Sequence, residues 1–122
     1  MRIDQSQPPF PRNPSAPWNE QTAWPAWWVD CAEAGQPPFV TLYRLNVNFE
    51  APVRLRFHVS ADERYILFLD ENRLGRGPER GAPSHWFYES FEEAITAGQH
   101  TFWALVWSAG KYAAPAQMSV RP

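Results

Sequence analysis

The side chains with the clearest catalytic potential in this sequence are carboxylates. A glycosidase needs two carboxylates across a cleft, and Glu89, Glu92 and Glu93 have the right chemical type. Acidic side chains are mostly exposed in folded proteins, and the spacing of these three does not predict a cleft. We therefore expect them on a solvated strand edge rather than in an active site.

A nucleophilic triad is a second catalytic option, drawn either from Ser84 and His85 or from His58, Ser60 and Asp62. Adjacent residues of a strand point to opposite faces, so Ser84 and His85 would diverge in an extended segment. The sequence also lacks a G-x-S-x-G turn, and no helix N-terminus is evident to build an oxyanion hole. A small hydrolase is accordingly the least favoured function.

Cofactor and metal chemistry have little basis in the sequence. Cys31 is the only cysteine, which excludes both an intrachain disulfide and a multi-thiolate zinc site. The three histidines are scattered along the chain at His58, His85 and His100. We predict no cofactor. A structural Ca²⁺ involving Asp62 or Asp70 stays open as an alternative, although the D-x-D-x-D spacing of a calcium loop is absent.

Composition narrows the range of partners. The 122 residues suit one domain, and a net charge of −2 provides no excess of cations to neutralise phosphates, so we expect no nucleic-acid partner. No segment approaches the ~18 apolar residues of a membrane span, and the N-terminus lacks the apolar core of a secretory signal. The expected location is cytoplasmic, with no membrane partner.

The hydrophobic pattern predicts an all-β chain. Residues 1–17 carry five prolines and predict an extended arm, and residues 18–38 are rich in tryptophan without a clear period. Alternating or doubly apolar runs predict strands over 43–49, 53–59, 65–69, 86–91, 101–107 and 118–121. A glycine- and proline-rich loop is predicted over 75–83. Only residues 91–97 have the pattern of a helical turn.

These elements favour a two-sheet antiparallel β-sandwich, or jelly roll, over an open sheet, with an up-and-down barrel as the alternative. The sandwich module would occupy residues 18–122, with its strand core at about 39–121. Sequential strands of this length, separated by turn residues, are typical of such folds.

Residues 53–107 resemble the N-terminal β-sandwich module of bacterial α-L-rhamnosidases and related glycoside hydrolases, a galactose-binding-domain-like jelly roll. The resemblance lies in Ser60-Ala61-Asp62, Arg64-Tyr65, Gly75-Arg76-Gly77-Pro78 with Arg80, and Trp86 followed by Tyr88. It implies that hydrolysis belongs to a separate catalytic barrel, so no catalytic residue is expected here. The implied partners are a catalytic glycosidase domain and a carbohydrate.

The same residues predict two groups of positions. The glycines and the proline of the 75–78 segment would make a stiff, directed loop able to hold arginines in place. The structural positions are Asp62, Arg64, Gly75, Gly77 and Pro78, and the candidate carbohydrate-binding residues are Trp86, Arg76, Arg80 and Tyr88. Asp62 is expected to accept turn amides or to pair with an arginine.

The seven tryptophans have two interpretations. A pyranose presents an apolar C–H face that stacks on an indole, but aromatic residues also dominate β-sheet cores. We expect Trp103 and Trp107 to serve packing, whereas Trp24, Trp27 and Trp28 equally suit a docking surface. The leading hypothesis is a non-catalytic accessory module of a glycosidase, and the alternative is a free-standing carbohydrate-binding protein.

Overall fold

The computed structural model describes residues 1–3, 26, 29–32, 35–78 and 88–112. This part of the chain forms seven strands and one short 3₁₀ helix at Gly110–Tyr112. The strands are β1 (Arg2–Ile3), β2 (Phe39–Phe49), β3 (Val53–Val59), β4 (Arg64–Leu69), β5 (Asn72–Gly77), β6 (Glu89–Ile95) and β7 (Gly98–Ser108).

The strands form two antiparallel sheets. The three-stranded sheet has the order β1-β6-β3, and the four-stranded sheet has the order β2-β7-β4-β5. The predicted all-β sandwich is therefore confirmed. Among the described residues, no helix is long or apolar enough to cross a membrane.

The core lies between the two sheets and is built from their inward-facing side chains. Tyr65 and Phe91 are each 1% exposed, and Leu67 and Ala61 are buried beside them. Phe57 of β3 stacks on Phe91 of β6 with ring centroids 5.5 Å apart, so aromatic contacts join neighbouring strands within the core.

Strand bounds follow the alternating pattern most closely where one face is polar. The prediction of 53–59 agrees with β3, whose odd positions are half-buried and whose even positions are mostly exposed. β2 begins at Phe39 rather than at residue 43, because Val40 and Leu42 are apolar yet face outward, which obscures the period of two. The segment with a helical pattern, 91–97, mostly continues β6 instead.

The predicted loop at 75–83 needs correction at its start, because Gly75, Arg76 and Gly77 belong to β5 and pair with β4. The two glycines do not form a turn; they allow β5 to approach β6 of the other sheet closely. A Cβ at Gly75 would lie 2.6 Å from the Phe91 ring, and one at Gly77 would overlap the Glu89 carboxylate. Arg64 likewise begins β4, and Pro78 follows β5 directly.

Several predicted elements lie wholly or partly outside the described residues. Of the predicted arm over 1–17, Arg2 and Ile3 form β1 and pair with β6. Residues 4–25, the predicted strand at 118–121, and the segment 79–87 are outside the described part of the chain.

Candidate functional site

The outward side of the four-stranded sheet carries an unusual set of residues, which we call the apolar–arginine face. Because Tyr65 and Leu67 point into the core, the alternate residues of β4 point outward. Strand register places the members of this face in three cross-strand rows: Arg44, Trp103, Phe68 and Arg73; Leu42, Leu105, Ile66 and Arg76; and Val40, Trp107 and Arg64.

Each row has apolar residues at its centre and at least one arginine at an end. Val40 is 64% exposed and Leu42 is 56% exposed, and the two tryptophans are partly exposed. The Arg44 guanidinium lies 5.7 Å from the Trp103 ring centroid, which is cation–π distance. The face therefore combines a broad apolar surface with fixed positive charge.

No carboxylate belongs to these three rows, and their four arginines make no ion pair with any carboxylate in the described ranges. Arg44, Arg73 and Arg76 are exposed, and Arg64 is partly exposed. The positive charge on this face is thus uncompensated by the described part of the chain.

The outward side of the three-stranded sheet has a different character. Glu92 of β6 lies 2.9 Å from Arg54 Nε and 2.8 Å from Arg56 Nη2, both on β3. The hydrogen bond from Arg56, with the charges of both arginines, lowers the pKa of the Glu92 carboxyl. We call this surface the paired-charge face, because its cations have carboxylate partners.

His58 also lies on the paired-charge face. Its Nδ1 is 2.8 Å from Ser90 Oγ, and its ring meets Tyr88 edge-on at a centroid distance of 5.8 Å. Burial, followed by the positive charge of Arg56, lowers the pKa of His58. The disfavoured triad of His58, Ser60 and Asp62 lacks its His58–Ser60 contact, since the hydroxyl that His58 contacts belongs to Ser90. Ser84 and His85 lie outside the described residues.

Glu89, one of the candidate catalytic carboxylates, is a buried structural group. It is 2% exposed and accepts a hydrogen bond of 2.6 Å from Tyr65 Oη. Burial and this contact raise the pKa of Tyr65. The prediction of an exposed edge is therefore wrong for Glu89, because the inward side of β6 faces the core at this position. Glu93 forms an ion pair with the Met1 ammonium group.

A second buried carboxylate, Glu63, was not identified from the sequence. It is 3% exposed and accepts hydrogen bonds from Ser108 Oγ at 2.9 Å, Ala109 N at 2.5 Å and Gly110 N at 3.2 Å. The carboxylate thereby joins the start of β4 to the end of β7. Its donors are 45 to 47 residues away in sequence, so no local motif reveals them.

Asp70, one of the two positions left open for a calcium ion, is engaged by protein groups. It occupies the β4–β5 turn at φ 51°, and its carboxylate accepts a hydrogen bond from Thr101 N and contacts His100 Nδ1, each at 2.8 Å. These contacts lower the pKa of Asp70, the Thr101 amide most strongly. Within the described ranges, no group of three His, Cys, Asp or Glu side chains is arranged to hold a metal ion.

A cavity of about 680 Å³ lies between the inner side of β2 and the chain from Val59 to Glu63. Tyr43, Leu45 and Asp62 contribute to its lining. The Tyr43 hydroxyl donates a hydrogen bond of 3.4 Å to the carbonyl of Val29, which places residues 29–30 along another wall.

The structure separates the predicted carbohydrate-binding residues that it describes. Arg76 lies on the apolar–arginine face, whereas Tyr88 contacts His58 on the paired-charge face. Trp86 and Arg80 are outside the described residues. Arg64, predicted as structural, instead joins Arg76 on the outward side of the larger sheet, together with Arg44 and Arg73, which sequence reasoning missed.

The fold and these surfaces define an antiparallel two-sheet β-sandwich with one paired-charge face and one apolar–arginine face. Comparisons with protein-family models, with curated proteins and with solved structures found no match.

Proposed function

We propose that this chain is a non-catalytic accessory module of an α-L-rhamnosidase-like glycoside hydrolase, giving structural support or carbohydrate contact to a catalytic domain that is not in this chain. The observation that carries the proposal is the engagement of its carboxylates in structural contacts. Glu89 is bound by Tyr65, Glu63 by the end of β7, and Glu92 by two arginines.

This use of carboxylates argues against glycoside hydrolysis within the described residues. General acid and nucleophile must both face a cleft that admits substrate. Glu89 and Glu63 are nearly inaccessible, while Glu92 lies on an outward sheet surface beside its arginine partners. The resemblance of residues 53–107 to the rhamnosidase module supports the choice of glycosidase partner.

Activity of the isolated chain tests the non-catalytic part of the proposal. We expect no release of nitrophenol from aryl α-L-rhamnosides or other aryl glycosides beyond the rate in buffer. The matched variant is Glu89→Gln, which removes the most protected carboxylate. Turnover that scales with protein concentration and is lost in this variant would overturn the proposal.

The accessory role is tested by adding the chain to an α-L-rhamnosidase barrel from which the N-terminal β-sandwich has been removed. We expect a higher thermal midpoint for the barrel, or a lower KM on a polymeric substrate. An unrelated β-sandwich of similar size is the control. Equal effects of the two sandwiches would count against a specific accessory role.

A free-standing carbohydrate-binding protein is the second candidate. The observation that favours it is the presence of Trp103, Trp107 and Arg76 on one outward surface, since sugar sites combine aromatic rings with polar anchors. Binding of a glycan without any effect on the barrel would favour this candidate over the accessory role.

A further inference from the structure

We infer that the apolar–arginine face binds an acidic, uronate-containing glycan chain. The sugar C–H faces would lie over Trp103 and Trp107, and the carboxylates would pair with the surrounding arginines. This inference rests on the proposed function, because it names the class of carbohydrate that the module would hold.

The spacing of the face suits an extended polymer. Trp103 and Trp107 are four residues apart on β7, which corresponds to about 13 Å along a strand. Arg44 and Arg73 end the same row on either side of Trp103, three strand spacings or about 14 Å apart. An elongated ligand crossing this surface therefore meets both rings and flanking cations.

The arginines repeat from row to row. Arg73, Arg76 and Arg64 belong to successive rows, which are about 7 Å apart along the strands. A guanidinium presents a planar fork of donors that matches a carboxylate in two parallel hydrogen bonds. Repeated cations beside an aromatic strip complement a chain whose sugar units carry repeated carboxylates.

The charge of the face selects against a neutral glycan and against a second copy of the chain. Its four arginines have no carboxylate in their rows, so a neutral ligand would leave them uncompensated. Two copies packed through this face would bring eight arginines together without a counter-charge from the described rows of either copy.

The repeat of arginines also favours a glycan over a membrane. The four arginines lie at set positions in three rows, which complements a polymer with regularly spaced carboxylates better than a bilayer of mobile headgroups. A folded acidic protein offers charge but not a regular repeat. Because an anionic membrane and an acidic protein carry the same sign of charge as the glycan, an experiment is needed to distinguish them from it.

Calorimetric titration of the full chain with polygalacturonate tests the inference. We expect binding that weakens with added salt and that is at least about tenfold weaker for the fully methyl-esterified polymer, because the charged pairs are lost. Poly-L-glutamate and vesicles of phosphatidylserine with phosphatidylcholine serve as non-sugar anions, and we expect both to bind much more weakly.

Variants locate the site on the apolar–arginine face. Arg73→Gln with Arg76→Gln should weaken polygalacturonate binding by about tenfold or more, since each arginine contributes a charged pair. Trp103→Ala should produce a comparable loss through stacking. Arg54→Gln with Arg56→Gln is the matched control, because it removes the same two charges from the paired-charge face and should leave affinity within about twofold of the parent.

Several results would overturn the inference. These are no binding at millimolar uronate, equal binding of poly-L-glutamate or the anionic vesicles, or equal losses in the face variants and in Arg54→Gln with Arg56→Gln. Circular dichroism shows whether Trp103→Ala keeps its fold, and the arginine variants decide the matter if it does not. Absence of uronate binding would overturn this inference but would not contradict the accessory role. Glycoside turnover by the isolated chain would refute the accessory role separately.

Discussion

The two outward faces of this sandwich carry arginines in opposite circumstances. On the paired-charge face, Arg54 and Arg56 share the carboxylate of Glu92, so their charge is balanced locally. On the apolar–arginine face, Arg44 stacks on Trp103 and no row contains a carboxylate. The two faces therefore differ in whether the described part of the chain balances the charge of their arginines, and this difference is the basis of the proposed binding surface.

The contrast extends to the residues between the charges. On the paired-charge face, His58 lies near the end of β3 and is within hydrogen-bond distance of the buried Ser90. The middle of the apolar–arginine face is occupied by leucine, isoleucine, phenylalanine and tryptophan side chains. The polar groups of the first surface have partners within the protein, whereas exposure of the apolar groups of the second surface to water is unfavourable.

Disruption of the core is expected to unfold both sheets and so remove both outward faces, because the two sheets pack against each other through the core. Phe91→Ala removes a ring that is 1% exposed and stacked on Phe57. We expect a loss of about 3–5 kcal/mol in the free energy of unfolding, measured in denaturant. Glu71→Ala, at an exposed turn, is the control and should change stability by less than about 0.5 kcal/mol. A similar small change for Phe91→Ala would contradict the core assignment.

Acid should lower the stability of the fold through His58 on the paired-charge face. The folded-state pKa of His58 lies below its ordinary value of 6.5, so the unfolded chain binds more protons near that pH. Stability should therefore fall as pH drops through this region.

Lowered pKa values for Asp70 and Glu92 should cause a further loss of folding stability, as pH falls below their ordinary values of 3.8 and 4.5.

Thermal unfolding from pH 8 to pH 5 tests the effect of His58, with a smaller expected change in stability than for Phe91→Ala. His58→Gln should flatten this part of the profile. An unchanged profile in His58→Gln would show that another group is responsible.

Substitution within the apolar–arginine face should have the smallest effect on folding. Leu42→Gln alters a side chain that is 56% exposed, so we expect a change within about 0.5 kcal/mol in unfolding free energy. Fluorescence of a bound apolar dye should decrease at the same time. Leu67→Gln makes the same substitution at a core position and should be strongly destabilising. Comparable losses for both would mean that the face is part of the folded core.

The sequence predicts the fold best where one side of a strand is polar. Alternation over Val53–Val59 predicts β3 with its observed bounds. The same rule misses the start of β2, because Val40 and Leu42 extend the apolar pattern to both sides. Glycine is also ambiguous, since Gly75 and Gly77 resemble loop residues until the opposing Phe91 and Glu89 are in place.

The candidate site is less accessible to sequence reasoning. A local motif indicates Arg76, but Arg44, Arg64 and Arg73 join it only through the register of β2, β7, β4 and β5. Such pairings depend on contacts distant in the chain, so spacing along the sequence does not reveal them. The buried partners of Glu63 and Glu89 were missed for the same reason.

The strand order of the larger sheet also affects how the molecule can fold during synthesis. β2 ends at Phe49, but its only neighbour in the described sheet, β7, begins at Gly98. While the ribosome makes the intervening residues, the backbone groups of an eleven-residue strand have no ladder to join. The nascent chain therefore exposes β2, with Val40 and Leu42, to other polypeptides until β7 has emerged.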